Sequence, residues 1–234
     1  MRRLLSRLAY NNLANGVSIL GVLPLCLLFL QDGYGYLIPL IVYNNIMDDL
    51  DGILAAKLDI KSEFGAILDN VCDAFSHSVF VMLVGMQFAG LQERVDFAAV
   101  AVVVASLVAV TAVVLRVVFR LSLASATGTG SPTNELVRHL MFVLLLTDNH
   151  EFNPGPVLIL VFALHAVSML APFRMPFLIR SLTKSATAIG LVNIALVVAW
   201  LVPFATPVIA AGFICTYLYS FSSGTLEWLR KSVG

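Results

Sequence analysis

The sequence predicts an all-α integral membrane protein, a polytopic helical bundle of about eight transmembrane helices. Three observations predict this fold class. Of the 234 residues, 59% are hydrophobic and only 12% are charged, about half the charged fraction of a soluble domain. The apolar residues form runs near the roughly 20 residues that a helix needs to cross a bilayer. Basic residues fall in alternate connections between these runs.

The apolar runs follow one another along the whole chain. They lie at about 11–30, 34–56, 64–90, 96–122, 135–148, 155–173, 186–203 and 206–224. The fifth run is short enough for a tilted half-helix, so six or seven spans are the alternatives. No soluble domain, low-complexity tract or internal repeat interrupts the pattern. Residues 1–234 are therefore interpreted as a single membrane domain.

The positions of the basic residues predict the orientation. One predicted side carries Arg2, Arg3, Arg7, Lys57, Lys61, Arg116, Arg120, Arg138, Arg174, Arg180, Lys184, Arg230 and Lys231. The opposite side carries only Arg94. Because cytoplasmic connections are enriched in Lys and Arg, this alternation predicts an even number of spans with both termini in the cytoplasm. A multi-pass protein of a bacterial or archaeal plasma membrane is expected.

Charge and cysteine content exclude several classes of protein. The formal net charge is zero, so no basic surface for nucleic acid is indicated. Cys26, Cys72 and Cys215 stand inside apolar runs without C-x-x-C spacing. They are interpreted as small buried hydrophobic residues rather than disulfide or zinc ligands.

Four aspartates near one predicted cytoplasmic loop are the distinctive feature. Asp48 and Asp51 are three residues apart and share one face of the second predicted helix. Gly65, Asp69 and Asp73 are spaced by four along the third predicted helix. Since the connection between these two helices is short, both acidic faces lie at the same end and can point at each other.

Clustered carboxylates need compensation. Acidic residues within membrane spans are costly and indicate function by default. Four converging carboxylates repel one another, and oxygen ligands suit Mg²⁺ or Mn²⁺ rather than zinc. Two divalent ions would neutralise them. The alternative is that these acids are only hydrogen-bonded at helix ends. Asp49 lies on another face and is interpreted as a supporting or a solvated acid.

The same residues resemble the motif of the CDP-alcohol phosphatidyltransferase family. That motif reads D-x-x-D-G-x-x-A-R, eight further residues, and G-x-x-x-D-x-x-x-D. The matching positions, with every spacing kept, are Asp48, Asp51, Gly52, Ala55, Gly65, Asp69 and Asp73. The family's arginine is replaced by Ala56, and Lys57 follows it.

The resemblance implies an enzyme of phospholipid biosynthesis that transfers a phosphatidyl-type group from a CDP-lipid to a small alcohol and releases CMP. It implies that the four aspartates hold two Mg²⁺ or Mn²⁺ ions on the pyrophosphate, and that Asp73 is also the general base. Gly52 and Gly65 would admit the nucleotide close to the helix backbone. The substrate site is expected to include Ala55, Lys57 and Ser62 as well.

Ala56 leaves alternatives open. An arginine at this position can grip a phosphate with its planar fork. Lys57 lies about 100° further round the helix and does not replace it unless the helix has ended. A changed donor, a slower enzyme and a catalytically inactive family member are the alternatives.

A second resemblance concerns the acceptor alcohol. The segment Ser62-Glu63-Phe64-Gly65 and the continuation Asp73-Ala74-Phe75-Ser76 resemble the phosphatidylserine synthase branch. Serine is therefore the leading acceptor, ahead of inositol phosphate and glycerol phosphate. Arg116 and Arg120, which share a helix face, receive a serine carboxylate or a lipid phosphate, or only extend to lipid headgroups.

Other polar residues are given structural interpretations. Glu135 and Arg138, three apart, are expected to pair along a helix. His77 lies one turn beyond Asp73 and is either a supporting group of the site or, as we favour, a buried histidine with a structural partner.

The rival class is an ion-coupled transporter, in which intramembrane acids bind cations. Such proteins usually show repeat symmetry and acids near the midplane, whereas these acids cluster once beside a predicted cytoplasmic loop. The expected partners are a CDP-lipid such as CDP-diacylglycerol, the small alcohol and membrane lipids, and a homodimer is left open.

Overall fold

The computed structural model describes residues 10–90, 97–122, 129–176 and 186–233. Six of the basic residues used for the orientation lie outside these ranges: Arg2, Arg3, Arg7, Arg94, Arg180 and Lys184. Eight α-helices form within the described part of the chain: α1 Leu13–Val22, α2 Leu37–Lys57, α3 Glu63–Gly90, α4 Phe97–Ser122, α5 Thr133–His150, α6 Gly155–Met169, α7 Ala186–Leu201 and α8 Thr206–Val233. Short 3₁₀ helices cover Leu23–Phe29, Gly33–Tyr36 and Pro203–Ala205.

The all-helical prediction is confirmed for the described residues, which contain no strand and one isolated bridge, between Gly130 and Arg174. Each α-helix falls on one of the predicted apolar runs. The first run differs from prediction because α1 ends at Val22 and continues as a 3₁₀ helix with Pro24 in its first turn. Proline has no N–H to donate within an α-helix. The sixth run ends at Met169, three residues before Pro172.

Within the described residues, three helical segments are long and apolar enough to cross a membrane by length and composition: Glu63–Gly90, Phe97–Ser122 and Pro203–Ser232. Shorter apolar helices cover Leu13–Phe29, Gly155–Met169 and Ala186–Leu201. The two remaining helices, α2 and α5, are interrupted by charged residues, which in α2 are Asp48, Asp49 and Asp51. The number of spans and the orientation stay predictions.

The chain divides into two compact units after Ser76. In the first unit, α1 packs along α2. The backbone of Gly21 lies so close to α2 that a Cβ there would stand 3.1 Å from the Met47 Cβ. The Asn44 amide donates to the Gly21 carbonyl at 3.5 Å. Since residues later in α1 meet residues earlier in α2, the two helices run antiparallel.

The turn between α2 and α3 is fixed by backbone hydrogen bonds. Asp59 has a φ of 53°, and the Ile60 N–H donates to the Ala55 carbonyl at 3.1 Å. A left-handed residue with this hydrogen bond is a Schellman ending. Two residues later, the Ser62 hydroxyl accepts from the Gly65 N–H at 3.0 Å and caps α3. The short turn therefore sets where the acidic face of α3 begins.

The second unit comprises the rest of α3 and α4 to α8. Here α4 packs on α6, α5 packs on α6 and α8, and α7 packs on α8. Its apolar core includes fully buried side chains of α3, α5 and α6, such as Phe80, Leu140 and Phe162. The prediction of one domain over residues 1–234 stays a prediction.

A buried polar network in the second unit joins α5, α6 and α8. His139 Nδ1 lies 3.0 Å from His165 Nε2 and 2.7 Å from the Glu135 carbonyl. The Ser168 and Tyr217 hydroxyls hydrogen-bond to each other. These buried hydrogen bonds add polar contacts to the apolar packing of the three helices.

Candidate metal centre

The acidic faces of α2 and α3 meet inside the first unit. One carboxylate oxygen from each of Asp48, Asp51 and Asp69 lies within 4.8 Å of the other two. Asp51 is 6% exposed, and Asp48 and Asp69 are half-buried. The three-residue spacing on α2 and the start of α3 at Glu63 bring these side chains together, although they come from two helices.

Asp73 adjoins this cluster from the next turn of α3. Its carboxyl group lies within hydrogen-bonding reach of the Asp48 carboxyl, and Asp69 and Asp51 are its other charged neighbours. Two carboxylates in such contact need a proton or a cation between them. The structure thus brings the four predicted aspartates to one place.

Sequence reasoning missed one polar neighbour of the cluster. The Ser18 hydroxyl of α1 donates a hydrogen bond to Asp51 Oδ2. Both residues are buried, with exposures of 7% and 6%. A serine inside an apolar run gives no signal by itself. Its register with Asp51 depends on the antiparallel packing of α1 on α2.

Asn44, Asn45 and Asp49 lie near the cluster on α2, and each makes a side-chain hydrogen bond within the first unit. Asn44 donates to the Ser76 hydroxyl at 3.2 Å. Asn45 donates to Asp49 Oδ2 at 3.3 Å. Because Asp49 is only 6% exposed, the interpretation of Asp49 as a solvated acid is wrong, and that of a buried supporting acid fits.

The two motif glycines have different surroundings. Gly52 is exposed, and a Cβ added there would meet nothing within 4 Å. At Gly65 a Cβ would lie 2.9 Å from Asn15 Oδ1 and 3.0 Å from the Ser62 hydroxyl. Gly52 therefore leaves open space next to Asp51. At Gly65, the absence of a side chain allows Asn15 of α1 and the capping Ser62 hydroxyl to approach the backbone of α3.

The other predicted substrate residues of this unit surround the end of α2. Ala55 is half-buried, and Ala56, Lys57 and Ser62 are exposed. Lys57 is still within α2, so it does not occupy the direction of the missing motif arginine. Ser62 caps α3, a structural role that leaves its predicted contact with substrate untested.

The predicted substrate arginines lie in the second unit, at the end of α4. Arg116 is 5% exposed, and its Nη1 donates to the carbonyls of Thr129 at 2.8 Å and Met169 at 3.1 Å. Its guanidinium therefore ties α4 to the end of α6 and to the segment before α5, a role that the sequence did not predict. Arg120, one turn further on, is half-buried. Substrate binding by both residues stays a prediction.

Two further expectations concern the second unit. Arg138 and Glu135 form the predicted ion pair, with Nη1 and Oε1 2.8 Å apart. His77 is buried, and its Nδ1 has no hydrogen-bond partner among the described residues. The pairing along α5 is confirmed, whereas the role of His77 stays open.

The aspartate cluster fits a hard divalent cation. Its donor set is oxygen only, which suits Mg²⁺ or Mn²⁺. Ligand oxygens about 2.1 Å from one octahedral Mg²⁺ are at most about 4.2 Å apart. The observed limit of 4.8 Å is close to this span, so small side-chain rotations suffice for three oxygens to share one ion.

Two comparisons relate this geometry to known proteins. An uncharacterized protein of Aquifex aeolicus (strain VF5) is 38% identical over 50 residues, which are 21% of this chain and 26% of that protein. The match thus spans about a quarter of the length of that relative. A family profile described as CDP-alcohol phosphatidyltransferase matches residues 11–222. Since this match extends from the start of the described residues into α8, the chain belongs to the CDP-alcohol phosphatidyltransferase family, a family of phosphotransferases.

Proposed function

We propose that the protein transfers a phosphatidyl-type group from a CDP-lipid, such as CDP-diacylglycerol, to the hydroxyl of a small alcohol. The alcohol oxygen forms a bond to the lipid-side phosphorus, and the bond from that phosphorus to the CMP oxygen breaks. Lipid-linked phosphodiester and CMP are the products. The single observation that carries the proposal is the convergence of the motif aspartates, with oxygens of Asp48, Asp51 and Asp69 within 4.8 Å.

In this proposal the aspartates divide the chemistry between them. Asp48, Asp51, Asp69 and Asp73 would hold two Mg²⁺ or Mn²⁺ ions. Bound ions would neutralise the charge that develops on the phosphoryl oxygens and on the leaving CMP. Asp73 would take the proton from the attacking hydroxyl, which needs a base because its own pKa is far above neutral. Gly52, with open space beside its backbone, would adjoin the nucleotide, together with Ala55 and Lys57.

Serine is the proposed acceptor. Support comes from the resemblance of Ser62-Glu63-Phe64-Gly65 to the phosphatidylserine synthase branch and from the arginine pair of α4. Arg116 and Arg120 are the proposed contacts of the serine carboxylate. The Arg116 guanidinium also donates to two carbonyls, which holds the end of α4 in position.

The proposal includes a location. The apolar helices and the family indicate a membrane protein. About eight spans, cytoplasmic termini and a cytoplasm-facing acidic cluster follow from the alternation of Lys and Arg between the runs. CMP and serine are water-soluble, so an acidic cluster at this side of the membrane is within their reach.

The test is a CMP-release assay on protein purified in detergent. Labelled CDP-diacylglycerol is supplied with serine, inositol phosphate or glycerol phosphate, each with Mg²⁺, Mn²⁺ or a chelator. We expect CMP release with serine that needs a divalent ion. CMP release with a different acceptor would support the enzyme class but contradict serine as the acceptor.

Variants make the assay specific for the aspartate cluster. Asp73→Asn is expected to lower kcat by more than about 100-fold, since general-base catalysis supplies about 10²–10⁴-fold. Asp32→Asn is the matched control because Asp32 is exposed and has a φ of 60°, which asparagine tolerates. Unchanged turnover in Asp73→Asn would refute the base assignment. No CMP release with any acceptor would favour a transporter or an inactive family member.

A further inference from the structure

We propose that Ser18 is a positioning residue of the aspartate cluster, fixing the Asp51 carboxylate for cation binding. The inference rests on the metal dependence in the proposed function, and it adds α1 to a site so far built from α2 and α3. The Ser18 hydroxyl donates to Asp51 Oδ2. This hydrogen bond holds the Asp51 carboxylate in one orientation beside Asp48 and Asp69.

The burial of Ser18 indicates that this contact is specific. Ser18 and Gly21 are the buried residues of α1, a helix that is otherwise half-buried or exposed. The Ser18 hydroxyl also lies 3.3 Å from the Ala14 carbonyl of its own helix. A hydroxyl has one proton, and a hydrogen bond to an ionised acceptor is about twice as strong as one to a neutral acceptor. Asp51 is therefore the preferred acceptor.

The register that brings Ser18 to Asp51 does not depend on this hydrogen bond. Two residues further along α1, the Tyr43 hydroxyl donates to the Leu20 carbonyl at 3.0 Å. At the same level, Gly21 packs against Met47. These contacts hold α1 on α2 when the Ser18 hydroxyl is removed. A substitution at Ser18 thus changes the surroundings of Asp51 without undocking the helix.

Loss of the hydroxyl is expected to weaken cation binding. Asp51 would lose a hydrogen bond at a buried oxygen and gain rotational freedom. Groups that orient metal ligands typically change metal affinity by about 10–100-fold. We therefore expect the Kd for Mn²⁺ to rise about tenfold.

The experiment measures Mn²⁺ binding directly. Purified, metal-stripped protein is titrated with Mn²⁺, and free Mn²⁺ is measured by electron paramagnetic resonance. Ser18→Thr and Ser18→Val are compared because the two side chains have nearly the same shape and differ in the hydroxyl. We expect Ser18→Thr to bind Mn²⁺ like the unsubstituted protein and Ser18→Val to bind about tenfold more weakly. Thermal unfolding of both variants checks that packing is matched.

Two controls separate the possible failures. Ser106→Ala removes a buried helical hydroxyl of the second unit, which donates to the Val103 carbonyl at 2.8 Å, and should leave Mn²⁺ binding unchanged. Asp51→Asn should weaken it. If Ser18→Thr and Ser18→Val bind Mn²⁺ equally well while Asp51→Asn binds it more weakly, the role of Ser18 is contradicted and the metal centre is retained. No loss in Asp51→Asn would overturn the metal centre itself.

Discussion

The Tyr43 hydroxyl of α2 donates a hydrogen bond to the Leu20 carbonyl of α1 at 3.0 Å. In a continuous α-helix this carbonyl would accept from the N–H four residues later, at Pro24, which has none. Tyr43 therefore supplies the donor that the proline removes. The same contact ties α1 to α2 just where the chain turns into a 3₁₀ helix.

We predict that Tyr43→Phe destabilises the protein by about 0.5–1.5 kcal/mol, the net contribution of one intramolecular hydrogen bond. The measurement is thermal unfolding in detergent. Tyr219→Phe, on the exposed face of α8, is the matched control.

The pairing of Tyr43 with Pro24 has its own test. In the background Pro24→Ala, an N–H is again present, so Tyr43→Phe should cost less than it does with proline. A double-mutant cycle measures this difference. Equal costs in both backgrounds would mean that Tyr43 does not compensate for the proline.

Gly130 lies at a position where the backbone requires glycine. Its φ is 63°, and a Cβ would stand 2.4 Å from the Met169 carbonyl oxygen. Its N–H donates to the Phe173 carbonyl at 2.8 Å, so the backbone cannot simply move away. We predict that Gly130→Ala lowers stability by at least about 2 kcal/mol, through a left-handed backbone and a steric clash.

Thermal unfolding again supplies the measurement for Gly130→Ala. Gly190→Ala, in α7 with nothing within 4 Å of the added Cβ, should raise stability by about 0.5–1 kcal/mol because alanine favours helix. Similar effects of the two substitutions would contradict the assignment of strain to Gly130.

Gly52 and Gly65 should respond differently to alanine. At Gly52 the space is open, so Gly52→Ala should stabilise α2 by about 0.5–1 kcal/mol. If the nucleotide lies against this backbone, the same substitution should raise the KM for the CDP-lipid. At Gly65 the Cβ would meet Asn15 and Ser62, so Gly65→Ala should not stabilise.

Thermal unfolding of the two alanine variants checks the predicted stability changes, and steady-state kinetics check the predicted rise in KM. An unchanged KM in Gly52→Ala would remove this glycine from the substrate site while leaving the aspartate chemistry intact. A stabilised Gly65→Ala would show that its neighbours yield without cost.

The helices could be predicted from the sequence because each is a long apolar run with its own local pattern. α3 and α4 begin and end within one residue of the predicted 64–90 and 96–122. The meeting of Asp48 with Asp69 was also predictable, since regular spacing and a short turn determine it. Ser18 and Arg116 were not. Their partners, Asp51 and Met169, lie on other helices, and only packing brings them together.

Ala56 is the one departure from the motif, and restoring the arginine should act on the donor substrate. Ala56 is exposed on α2, so an arginine can enter without displacing a neighbour. A charge-assisted hydrogen bond to a phosphate contributes about 1.5–3 kcal/mol, which corresponds to at least about a tenfold lower KM for the CDP-lipid. The measurement is the rate of CMP release at varied concentrations of the CDP-lipid, which gives KM. Lys61→Arg, at an exposed position beyond the end of α2, is the control and should leave KM unchanged. If Ala56→Arg also leaves KM unchanged, the donor does not contact this position of α2, and the loss of the motif arginine has no bearing on activity.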